Sequence, residues 1–350
     1  MPLRVGFHLG YWRAGPPPGL AAQLAELEWL GCDSLWSSEV YGADAFTPVA
    51  WAAALTSRCR LGTAAAQIPA RSAATTATTA MTIDHLSCGR FCLGIGVSGP
   101  RVTQDWHGQP FTAPLRRTRD YVAAVRRVWS RNSLPPGLGA TAQAGPDDRQ
   151  EERSAHPGLK SILHPYRPGM PLYLAAEGPR NIALAAEIAD GLLATHFSPA
   201  ATGYYRSALA SGFARRSPDM TTSTPKTFEV IARTHVVVHD DIETAADQLR
   251  PRLAREIGLM GPPAQNFHYK AIARLGFERE CATIRDLALA GRHQEAAAAV
   301  PTAMVESVSL IGPAAKIKDD LQQWESTPAT TIVLTGTIDG FRTVARILHA

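Results

Sequence analysis

At 350 residues the chain is long for one ordinary domain and typical of a single eight-stranded α/β barrel carrying insertions. Hydrophobic residues make up 45% of it, enough for a large core, and its net charge of +4 is spread along the sequence. That balance excludes a strongly basic nucleic-acid protein, and the lack of an apolar run of membrane-spanning length argues against a membrane partner.

The first strand is expected over 3–9, where Val5, Phe7 and Leu9 alternate. A Pro- and Gly-rich loop follows, and then Leu20, Leu24, Leu27 and Leu30 recur at helical spacing before Gly31. Residues 34–37 read as a second strand and 46–57 as a helix. Residues 60–100 form one βαβ unit: a small-residue strand over 61–68, a helix over 72–86 with Ser72 as N-cap and Cys88-Gly89 as stop, and an apolar strand over 91–95. A fourth helix is marked by Leu115, Tyr121, Val122, Val125 and Trp129. Strands are expected again at 172–175, 192–195, 228–238 and 331–334, with helices at 179–188, from about 242, and over 269–290 and 313–324. Eight strands separated almost throughout by helices predict a closed (β/α)8 barrel, the TIM barrel, as a single domain.

Residues 132–169, between the fourth helix and the fifth strand, lack any apolar period and read as an irregular insertion. Its length suits a lid that climbs to the barrel mouth, with His164 to Pro168 supplying a proton donor and a cation. Met1 to Arg4 leads directly into a strand, so no signal peptide and a cytoplasmic location are expected. The five cysteines lack a CxxC pair and read as buried hydrophobes, with no metal site among them. The Ala- and Thr-rich helix at 72–86 and the run at 50–55 offer small-residue faces suited to a homodimer.

In α/β barrels ligands sit beyond the C-terminal ends of the strands, and several stretches fall there. Gly94-Ile95-Gly96-Val97-Ser98-Gly99 matches G-x-G-x-x-G, but it follows the fourth strand and runs into Pro100 rather than a helix. These glycines therefore read as letting a flat ring approach the backbone, not as a dinucleotide fingerprint. Ala176-Glu177-Gly178-Pro179-Arg180 opens a helix after the fifth strand; it suits a phosphate, or is an ordinary helix start with proline in the first turn. His8 lies within the first strand, Glu39 and Tyr41 follow the second, and His107 sits in the loop after the fourth. These four are the candidate proton donors, with Glu39 preferred and the ring-orienting role kept open for it. No HExxH, GxSxG or P-loop is present.

Leu61-Gly62-Thr63, Leu86 to Arg90, Leu93 to Pro100, Ala175 to Pro179 and Trp106 to Phe111 together resemble the luciferase-like monooxygenase superfamily, in its coenzyme F420-dependent branch. The resemblance implies a deazaflavin (coenzyme F420), or alternatively FMN, held at the strands' C-terminal ends against a non-prolyl cis peptide at Ala64–Ala65. It further implies that Glu39, Val97 and Ser98 lie near the ring and Gly178, Pro179 and Arg180 near the phosphate. Arg71, Arg101 and Arg180 are expected to meet the acidic tail. Val40 and Gly99 replace the His and Glu of the sugar-phosphate dehydrogenases of this branch, which argues against that substrate. The expected activity is hydride transfer with a small molecule; an FMN-dependent monooxygenase and a non-catalytic flavin-binding barrel are the alternatives.

Overall fold

The computed structural model describes residues 3–12, 15–134, 158–218 and 223–349. Their strands close into a parallel barrel: β1 (Arg4–His8), β2 (Ser34–Ser37), β3 (Arg60–Thr63), β4 (Phe91–Gly96), β5 (Leu172–Ala175), β6 (Gly191–Ala194), β7 (Glu229–Val238) and β8 (Thr331–Gly336). β8 pairs with both β7 and β1, so the ring has no free edge. Helices α1 (Leu20–Trp29), α2 (Phe46–Leu55), α3 (Ala73–Leu86), α4 (Pro114–Trp129), α5 (Pro179–Ile188), α6 (Thr202–Phe213), α7 (Ala314–Glu325) and α8 (Ile338–His349) flank it.

The local signals act where the sequence places them. The Ser72 hydroxyl accepts from the Thr75 amide at 3.1 Å and starts α3, and Cys88 and Gly89 end it at positive φ. The strand expected over 61–68 is broken: after Thr63 comes a cis Ala64–Ala65 peptide, then a two-residue strand, Ala66–Gln67. Six side chains, Trp36, Cys92, Tyr173, Leu193, Ile231 and Val333, pack inside the barrel. A Cβ on Gly62 would lie 2.3 Å from the Trp36 ring, so the large indole dictates the glycine beside it.

Two expectations shift. The principal insertion lies between β7 and α7: short helices from Ile242 to Val308 enclose a core of their own that includes Ile257, Ile284, Val300 and Met304. It returns through a strand, Ser309–Gly312, that pairs with the far end of β7. The segment between α4 and β5 begins and ends at the opposite, N-terminal end of the barrel. There Arg167 pairs with Asp84 at 3.1 Å and donates to the Phe91 carbonyl at 2.6 Å, and His85 meets the His164 carbonyl at 2.8 Å. His164 to Pro168 therefore brace the barrel bottom and take no part in the mouth. The remainder of the expected lid, 135–157, lies outside the described residues. Within the helix expected to offer a small-residue face, Ala73, Ala77 and Ala80 are buried in the chain's own core.

At that bottom end Glu28 accepts the backbone amides of Ser57 at 2.9 Å, Arg58 at 2.6 Å and Cys59 at 3.0 Å, fixing the entry to β3. Burial alone would raise its pKa, but these N–H donors outweigh it and bring the value down to about 2. A depressed folded pKa stabilises fully above the unfolded value of about 4.3 and is lost as pH falls through the folded one. Glu28→Gln should thus lower the urea midpoint at pH 7 by the equivalent of about 1 kcal/mol, kept small by the group's exposure. The gap to the parent should narrow below about pH 4 and close only as pH falls to about 2 and below, and a gap that persists undiminished there would refute the assignment.

Candidate functional site

A cavity of about 500 Å³ opens at the C-terminal mouth of the barrel. One side is small and apolar: Ala64 and Ala65 after β3, Gly96 and Val97 at the end of β4, and Ala175 and Ala176 after β5. A Cβ added at Gly96 would meet those of Ala175 at 3.2 Å and Ala65 at 3.5 Å, so the glycine keeps this floor flat. Ser98 lines it too, at φ 63°.

The cis peptide is held from several sides. Gly10 donates its amide to His8 Nδ1 at 3.0 Å, which leaves the ring proton on Nε2, 2.6 Å from Ser38 Oγ. The Ser38 hydroxyl in turn donates to the Ala64 carbonyl. Burial, with Arg233 and Arg252 in the background, holds the His8 pKa well below its usual value, so this relay runs through a neutral ring. His8 therefore supports the floor from behind and does not line the cavity.

Glu39 does line it, but its carboxylate is turned to the protein. Oε1 accepts from the Gln67 amide at 2.8 Å and from Arg71 Nη1 at 2.6 Å, and Oε2 from the Ala45 amide at 3.1 Å. The Gln67 side chain closes the loop by donating to the Glu39 carbonyl at 2.7 Å while its Oε1 faces His107 Nε2 at 3.1 Å. His107 thus sits behind the wall, its pKa lowered by burial. Tyr41 stands at the rim, exposed and edge-on to Trp106.

The expected phosphate residues separate. Ala176 and Glu177 line the cavity, and Asn181 joins them, whereas Pro179 and Arg180 face an outer groove between α4, α5 and α6. Gly178 caps α5 without lining the cavity. Glu177 is buried; its carboxylate accepts from the amides of Thr195 and His196 and from the Tyr205 hydroxyl, and burial raises its pKa. Of the three arginines expected to meet an acidic tail, Arg101 alone lines the cavity, since Arg71 is committed to Glu39.

The opposite side was not foreseen. Tyr11 after β1 and Arg233 on β7 form its wall, and Arg255, Leu259, Met260, Phe267 and His268 of the insertion roof it. Arg233 carried a readable signal: it shares its strand parity with Ile231, which faces the barrel interior, and a charge inside an apolar parallel strand is unusual. Behind the roof His268 Nδ1 lies 2.8 Å from His196 Nε2, and Glu256 Oε2 lies 3.4 Å from the same nitrogen. These three could approach one cation, yet Arg252 already pairs with Glu256 at 2.9 Å. With its charge matched by Arg252, the carboxylate lies beside His196, which in turn meets His268, and both imidazoles are held neutral by burial, His268 at a pKa of about 4.

The luciferase-like monooxygenase model matches residues 7–331. A Mycobacterium tuberculosis protein with the provisional name coenzyme F420-dependent oxidoreductase is 39% identical, covering 99% of each chain. The 5,10-methylenetetrahydromethanopterin reductase of Methanolobus tindarius is 29% identical over 49% of this chain and 48% of its own. Among solved structures, the coenzyme F420-dependent tetrahydromethanopterin reductase of Methanopyrus kandleri superposes with a TM-score of 0.77 at 18% identity, covering 98% of each chain. An F420-dependent secondary alcohol dehydrogenase follows at 0.72 and 17%, covering 99% of each. At such identities the superpositions speak for the barrel alone. Family model, full-length relative and barrel agree: the chain belongs to the luciferase-like monooxygenase family.

Proposed function

We propose that the chain is a coenzyme F420-dependent oxidoreductase that transfers hydride between the deazaflavin and an electron-poor C=C, C=N or C=O carbon of a small organic molecule. The observation that carries this reading is the flat floor of Ala64, Ala65, Gly96 and Ala175, in a chain 39% identical over its full length to a relative named for that cofactor. The residues fit such a group: a side chain at Gly96 would fill the slot against Ala65 and Ala175.

Coenzyme F420, when bound, supplies the hydride-carrying ring carbon. The protein's share is orientation and exclusion of water. Ser38 and Glu39 fix the Ala64–Ala65 backbone against which a ring would lean, while Leu259, Met260 and Phe267 roof the mouth. Arg101 and Asn181 at the cavity edge offer donors to an acidic tail.

Titrating the purified chain with coenzyme F420 and with FMN, followed by ring absorbance and fluorescence, tests the reading. F420 should bind at micromolar concentration or below, and at least about tenfold more tightly than FMN. Tight FMN binding with no measurable F420 affinity would replace the reading with a flavin enzyme.

A further inference from the structure

The wall opposite the alanine floor carries a cation with no ion pair among the described residues; Tyr11 beside it and the more distant Glu256 and Glu177 favour its charge against burial. Arg233 lines the cavity, and its Nη1 donates to the Tyr11 hydroxyl at 3.2 Å. Its guanidinium carbon lies 5.7 Å from the centre of the Tyr11 ring. Its Nε–H is buried with no partner among the described residues. The acids in the neighbourhood are committed elsewhere: Glu256 to Arg252, and Glu177 to two backbone amides and Tyr205. Neither forms an ion pair with Arg233.

A guanidinium on a cavity wall with no carboxylate in contact leaves donors open, and its planar fork is the side chain best shaped to take one. Its hydrogen-bond partner among the described residues is a phenol, which itself can donate to an anion. On the same side His268 has its Nδ1 tied to His196, leaving Nε2 as the ring nitrogen without a protein partner among the described residues.

Topology says whose anion this is. β3 and β7 stand four strands apart in a ring of eight, so Arg233 faces the Ala64–Ala65 floor from across the mouth. A ring lying on that floor leaves the arginine to whatever occupies the other half. We infer that the substrate is an organic acid whose carboxylate seats on Arg233 and the Tyr11 hydroxyl. The inference rests on the proposed function only for the cofactor that shares the cavity.

The test uses a matched pair of probes, trans-cinnamate and trans-cinnamamide, titrated calorimetrically at pH 7 into the full chain without cofactor. The acid should bind roughly 10- to 100-fold more tightly than the amide, as expected for a charge-assisted contact. Arg233→Gln should abolish that preference, and Arg233→Lys should restore part of it. Arg233→Gln should also melt close to the parent, because the cation it removes is half-buried and has no ion pair among the described residues. Its F420 affinity should be unchanged.

No preference for the acid by the parent, whether both probes bind or neither does, overturns the inference without recourse to any variant. So does a loss of F420 affinity in Arg233→Gln, which would assign the arginine to the cofactor's tail. A lower melting temperature in that variant would make the arginine structural and would equally overturn the inference. If the acid preference appears in a chain that binds no F420, the functional reading falls and the anion site stands.

Discussion

Replacing Glu39 with glutamine is expected to cost stability and cofactor affinity together, while leaving the shape of the pH–rate profile intact. The carboxylate accepts from two backbone amides and the Arg71 guanidinium, so an amide nitrogen in its place would confront a donor with a donor. Breaking a buried, hydrogen-bonded ion pair of this kind costs about 2–4 kcal/mol. The loss propagates to the floor, because the Glu39 backbone amide faces the Ala65 carbonyl at 3.4 Å and Gln67 spans the same loop. Denaturant midpoints and F420 titration of Glu39→Gln read both effects; affinity should fall roughly 10- to 100-fold. Unchanged stability with one limb of the pH profile removed would instead make Glu39 the proton donor. The network favours the organising role, since both carboxylate oxygens already have N–H partners within the protein.

How far the site could be read ahead depends on which structural level fixes each residue. The floor was legible because strand ends and glycines are local: the βαβ unit over 60–100 places Ala64, Ala65, Gly96, Val97 and Ser98 at one wall, and all five line the cavity. Arg180 does not line the cavity, because a helix start fixes a position along the axis but not a direction around it. The next residue, Asn181, faces the cavity, while Arg180 faces the outer groove. The roof was illegible for another reason. Leu259, Met260 and Phe267 sit at ordinary helix ends, and only the packing of the insertion's own core decides which ends overhang the mouth. The segment before β5 illustrates the converse: a connection from helix to strand enters at the N-terminal end of the barrel, and Arg167 and His85 hold it there. Some familiar sequence also proved structural, as with Arg90, whose guanidinium donates to the carbonyls of Ala53, Thr56 and Cys59 and so ties α2 to β3.

The two glycines of β4 should separate folding from function in one experiment. Gly94 and Gly96 share a strand and a motif, yet different neighbours exclude a side chain at each. A Cβ at Gly94 would lie 1.9 Å from the Thr63 carbonyl oxygen and 2.6 Å from Leu193 Cδ1. The Thr63 hydroxyl is also locked there, donating to the Gly94 carbonyl at 2.6 Å and accepting its amide at 3.0 Å. Backbone cannot yield as a flexible side chain would, so Gly94→Ala must pry β3 from β4 and should cost more than the ~1–3 kcal/mol of ordinary overpacking. Little soluble, cooperatively melting protein is expected. At Gly96 the nearest atoms are two alanine methyls at 3.2 and 3.5 Å, and φ is not positive. Gly96→Val should therefore fold and melt within a few degrees of the parent, with its branched side chain occupying the floor. F420 binding should drop about 100-fold or more, as expected when a ring loses its place against the backbone. Circular dichroism melts paired with fluorescence titration decide the matter. A Gly96→Val protein that folds and binds F420 like the parent would show that the ring does not lie on this floor.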